Sequence, residues 1–143
     1  MERTEQEIFD DFVNGRLGKD EWTHDAHLIT CFVALQDRSP VETLAYLRDA
    51  IQTHNCGIGI RNTDTMGYHE TLTRYYVTAV AQAMGVEPTL DHVMSDPHCS
   101  RTAPLDFWSR ERLFSVGARL GWLEPEHATP WPIVSDEAAA RHV

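Results

Sequence analysis

Ser39-Pro40-Val41-Glu42 constrains the fold of this chain more than any other short stretch. The serine hydroxyl caps the backbone N–H three residues on, and the glutamate reaches back to the serine N–H. Proline at the first helical position already has the helical φ and no N–H to leave unpaired. A helix must begin here, and Val41, Leu44, Leu47 and Ile51 carry its apolar stripe towards a stop near Asn55 to Gly57.

The same reading applies elsewhere. In EQEIFDDFVN, residues 5–14, Ile8, Phe9, Phe12 and Val13 recur at helical period, and Asn14-Gly15 closes the segment. Asp20 or Thr23 caps a second helix running to about Gln36. Tyr68 opens a long helical segment, YHETLTRYYVTAVAQAM, which Gly85 closes. Pro88-Thr89 starts a short helix to about Ser95, and residues 104–122 read as helical in pieces, with Ser109 and Ser115 as caps. Segment 57–67, GIGIRNTDTMG, reads as a loop, with Asp64 or Thr65 capping the helix that follows. EPEHATPWP, with three prolines, reads as extended. No alternating strand pair with a hairpin turn occurs. The expected fold is therefore all-α, a compact bundle of five or six helices in one domain over residues 1–135, with 136–143 a flexible tail.

The 143 residues are enough to bury a core without staples. A net charge of −10 argues against nucleic acid and anionic membrane as partners, since both are polyanions. No apolar run approaches the roughly 20 residues that span a bilayer. The N-terminus has no apolar signal core. Cys31, Cys56 and Cys99 are odd in number and lack C-x-x-C spacing, so reduced thiols and a cytoplasmic protein are expected.

Polar residues at inward positions point to chemistry. His24 and His27 lie three apart, on the face that continues through Leu28, Cys31, Ala34 and Leu35. His69 shares a face with Leu72, Tyr76, Val80 and Ala83. Three histidines aimed inward from two helices are candidate ligands for a divalent transition metal (zinc, iron, copper or nickel), with a coordination position left open for catalysis. The bland alternative is that each ring ties backbone groups together in the core. Glu70 and Tyr68 are the candidate catalytic groups, Glu70 as a base or as an acceptor orienting a histidine. Arg61, Asn62, Thr73 and Tyr76 are the candidate substrate contacts. His54, near a helix C-terminus, is placed to meet the helix dipole as a partly charged ring. His98-Cys99 reads as a polar loop rather than a reactive pair.

Three blocks, WTHDAHL from residue 22, GYHETLTRYY from residue 67 and FWSRERLFSVGARLGWLEPE from residue 107, give the chain its resemblance to a family of small, uncharacterised, all-helical bacterial proteins. The resemblance places His24, His27, His69, Glu70 and Thr71 in matching blocks and implies no substrate or metal.

Two functions fit these residues. One is a small enzyme acting on a small molecule, dependent on a divalent metal or, without metal, on a histidine acid–base group. The other is a non-catalytic helical module that binds a ligand or partner, with structural histidines and a possible homodimer.

Overall fold

The computed structural model describes residues 3–136. Seven α-helices follow in order: α1 (Glu5–Val13), α2 (His24–Leu35), α3 (Pro40–Gly57), α4 (Glu70–Val86), α5 (Leu90–Ser95), α6 (Arg110–Leu113) and α7 (Val116–Leu120). Among the described residues there is no strand. The count exceeds the expected five or six because the region before Trp122 divides into two short helices, each with its own serine cap. Ser109 accepts from the Arg112 N–H and Ser115 from the Ala118 N–H, so a second start follows soon after the first helix ends.

The other caps explain where the chain turns. Thr4 and Ser39 each close a capping box, and Thr23 and Thr89 accept the third backbone N–H of α2 and α5. At α4 the expectation fails. Neither Asp64 nor Thr65 caps it, and it begins at Glu70 rather than Tyr68. His69, in an extended conformation, is the cap, its Nδ1 accepting the Leu72 N–H at 3.1 Å.

α2 is buried on most sides and packs against α1, α3, α4 and α5. α4 packs against α2, α3, α5 and α7. The core joins Phe9 and Phe12 of α1, Leu28 and Phe32 of α2, Leu47 and Ile51 of α3, and Tyr75 and Val80 of α4 to Trp108 and Leu113. Truncating one such aliphatic side chain to alanine costs about 2–5 kcal/mol, so these contacts hold α2 and α4 in register.

The proline-rich segment forms neither helix nor strand, bends at 126–127 and 130–131, and the chain from Gly121 to Val134 is tied to α4. Thr71 Oγ1 donates to Gly121 O at 2.8 Å, and Thr78 Oγ1 accepts the Val134 N–H at 2.9 Å. Asp136 ends the description in an ion pair with Arg48. The remainder of the expected tail, residues 137–143, lies outside the described residues. No helix among the described residues is long and apolar enough to cross a membrane.

Candidate functional site

A cavity of about 260 Å3 lies between α2, α3 and the start of α4. Its apolar wall is Leu28, Cys31, Leu47, Ile51, Leu72 and Val77. Its polar edge includes His24, His27, Tyr68, His69, Thr73 and Tyr76. Helical spacing explains the convergence: His24, His27, Leu28 and Cys31 are successive positions on one face of α2, and Leu72, Thr73, Tyr76 and Val77 on one face of α4. A larger cleft of about 790 Å3 runs beside the proline-rich segment, and its lining contains neither His nor Cys. Small-molecule sites are concave and mostly apolar with a few convergent polar groups, and the smaller cavity matches that description.

His27 lines the cavity with a strongly shifted ring. Burial pushes its pKa down from 6.5 to about 4, so the ring is neutral at neutral pH. Its Nδ1 lies 2.7 Å from Thr23 O. A carbonyl only accepts, so Nδ1 carries the proton and Nε2 presents a lone pair. Among the described residues Nε2 has no hydrogen-bond partner, and it is not sealed in protein. Trp22 stacks on the imidazole with ring centroids 3.7 Å apart.

His24 is fixed at the cavity edge by Nε2, which donates to Cys99 O at 2.9 Å, and its ring meets Tyr76 edge to face. His69 has no nitrogen to spare. Its Nδ1 accepts from Leu72 N, and its Nε2 donates to Leu113 O at 2.7 Å. Burial also lowers its pKa, keeping it neutral. A metal bond from His69 would require one of these hydrogen bonds to break. Among the described residues no group of three or more His, Cys, Asp or Glu side chains is arranged to hold an ion. The donor set expected for a divalent metal, His24, His27 and His69, lines one cavity but does not fit a three-histidine centre.

Glu70 is not in the cavity. It faces the opposite side of α4's first turn, where Arg48 grips it through two hydrogen bonds of 3.0 and 2.7 Å and Arg74 through one of 2.7 Å. Tyr68 joins the two sides: its ring lines the cavity while its hydroxyl donates to Glu70 at 2.8 Å. Burial acts to raise the Glu70 pKa, but these donors outweigh it and hold the carboxyl down at about 2. A carboxylate so held is a poor base and touches none of the cavity histidines, which corrects its expected role. Burial pushes the Tyr68 phenol up, keeping it protonated.

The loop residues also differ from expectation. Arg61 is exposed and does not line the cavity. Asn62 is a clamp rather than a ligand contact. Its Oδ1 accepts from Tyr68 N and from Asn55 Nδ2, each at 3.0 Å, and its Nδ2 donates to Gln52 O. Gly67 allows this closure with a φ of +77°, and a Cβ there would stand 2.4 Å from Arg61 O. Thr73 and Tyr76 do line the cavity, but their hydroxyls donate away from it, to His69 O and Ser100 O.

Sequence reasoning missed two supporting residues. Asn55 lines the cavity and links the loop to the wall, because Trp22 Nε1 donates to its Oδ1 at 3.1 Å. Trp22 covers His27 and tilts against His54. Adjacency of Trp22 to the histidine block was the available signal; the 33-residue separation from Asn55 was not readable. His54 is buried and not at the helix end as a charge: its Nε2 donates to Leu17 O and burial lowers its pKa. Cys99 is buried, and desolvation raises its thiol to about 12, so the His98-Cys99 pair has no reactive thiolate.

No family model, curated protein or solved structure matches the chain, and the resemblance noted above rests on its three blocks.

Proposed function

We propose that the protein binds a small molecule in the cavity between α2, α3 and α4 and meets it with His27 Nε2 as hydrogen-bond acceptor and proton acceptor. One observation carries this reading: a half-buried, neutral imidazole, oriented by Thr23 O and covered by Trp22, keeps an unpartnered Nε2 beside a mostly apolar cavity. Orientation through the other ring nitrogen is what a general base needs, and a lowered pKa keeps it unprotonated. This is the metal-free form of the enzyme expected from the sequence. The size fits a compact ligand, since an apolar cavity of about 150 Å3 already admits benzene.

A binding module without turnover is the second reading. The commitment of the Tyr68 and Tyr76 hydroxyls elsewhere favours it, because it leaves His27 without a free acid partner.

Amide NMR spectra recorded with monocyclic fragments test both. The proposal expects perturbations at Leu28, Cys31, Leu72 and Val77, weakened in His27→Gln. Perturbations confined to residues 124–136 would refute it. Chemical change of a bound fragment that disappears in His27→Gln supports the enzyme, and an unchanged fragment supports the module.

A further inference from the structure

Six of the cavity's polar side chains turn a hydrogen away from it. His24 Nε2 donates to Cys99 O, His27 Nδ1 to Thr23 O and His69 Nε2 to Leu113 O. Thr73 donates to His69 O, Tyr76 to Ser100 O and Tyr68 to Glu70. Each of these acceptors is a carbonyl or a carboxylate, so the direction of every bond is fixed. With His27 and His69 neutral, His27, Tyr68, Thr73 and Tyr76 have only lone pairs left for a ligand, the Nδ1 lone pair of His69 is also taken, and His24 is held through Nε2.

Asn55 accepts from Trp22 through Oδ1 and donates one amide hydrogen to Asn62, and its one remaining N–H is a neutral donor. The lining contains no Lys, Arg, Asp or Glu. Arg48 and Arg74 stand beyond Tyr68, bound to Glu70, and Arg119 donates to Gly67 O.

We propose that the cavity selects a neutral, compact, apolar molecule whose hydroxyl donates to His27 Nε2: an alcohol or a phenol. This deepens the function proposed above and rests on the cavity being the ligand site. A carboxylate or phosphate would face lone pairs with no cation in the lining and with Arg119 committed to Gly67 O, and desolvating an unpaired charge is expensive. An ammonium would find acceptors but no counter-charge, in surroundings that already disfavour the cationic form of His27. A hydroxyl supplies the missing hydrogen without a charge, and the apolar wall takes the rest of the molecule.

The test is a set of dissociation constants at neutral pH for p-cresol, toluene, benzoate and benzylammonium, which are similar in size. The proposal expects p-cresol to bind about five- to tenfold more tightly than toluene, the worth of one hydrogen bond, and both ions more weakly than toluene. In His27→Leu the advantage of p-cresol over toluene should fall to about twofold or less while toluene still binds. If that variant does not fold, the wild-type order decides alone. Benzoate or benzylammonium binding tightest, or p-cresol no better than toluene, would overturn the inference and leave the cavity as a ligand site. Failure of all four to bind would overturn that site and this inference with it.

Discussion

The imidazole of His27 lies stacked on the indole of Trp22, with centroids 3.7 Å apart and planes inclined by 27°. The same indole donates through Nε1 to Asn55, whose amide holds Asn62 and hence the loop before Tyr68. One aromatic residue therefore covers the His27 ring and ties down the cavity's rim.

Trp22→Phe tests that coupling. It removes the hydrogen bond to Asn55 and part of the cover over His27. We expect a stability loss of about 1–2 kcal/mol by denaturant unfolding and a His27 pKa displaced upwards from 4 towards 6.5 in an NMR titration. An unmoved His27 pKa would mean that Trp22 does not supply the desolvation.

The His27 pKa carries a pH dependence of stability. It is lower folded, at about 4, than its ordinary 6.5, so between these values the unfolded chain binds more protons. The contribution is complete above about 6.5 and is lost as pH falls towards 4, on the order of 2–3 kcal/mol. His54 and His69 are shifted in the same direction and add to the slope. Unfolding free energies measured across this window should flatten in His27→Gln, and an unchanged slope would deny His27 its part.

Glu70→Gln separates a structural carboxylate from a catalytic one. It removes the buried carboxylate that Arg48 and Arg74 share and leaves them only Asp136, for a loss of about 2–3 kcal/mol, less than for a fully buried pair because Arg48 is partly exposed. Acid unfolding should move too. The depressed Glu70 pKa gives stability that is present above its ordinary 4.5 and is lost as pH falls towards 2. Toluene affinity should change little in the folded variant. A large loss of affinity without loss of stability would return Glu70 to the site.

Much of this was legible in the sequence, and the rest was not, for physical reasons. Caps at Thr23, Ser39, Thr89, Ser109 and Ser115 are local, each bond closing within three residues, so the helix starts were readable. Helical period put His24, His27, His69 and Tyr76 at inward positions, and all four line one cavity. What periodicity cannot convey is where a side chain's hydrogens go. The spacing presents His69 as an inward ligand, but it serves as a cap, a role usually filled by Ser, Thr, Asp or Asn, and its second nitrogen is taken by Leu113, 44 residues away. Glu70 was read beside the histidines because its partner Arg48 lies 22 residues upstream on another helix. Arg61 stayed in solvent because the Asn62 clamp turns the loop inward one residue later.

His69 offers a further test. Asn can keep the cap but cannot reach Leu113, so His69→Asn should cost about 1 kcal/mol and His69→Leu about 2 kcal/mol, with Zn2+ or Ni2+ leaving the wild-type melting temperature unchanged. A melting temperature raised by either ion, and no longer raised in His69→Asn, would establish the metal centre instead, because a ligand of the folded state must stabilise it.

The most direct measurement is the 15N NMR of the His27 ring at neutral pH, without and with p-cresol. The account predicts a protonated Nδ1, an unprotonated Nε2, and an Nε2 resonance that shifts when p-cresol donates to it. A protonated Nε2, or one that p-cresol leaves unmoved while it binds elsewhere, would contradict the claim that this nitrogen receives the ligand.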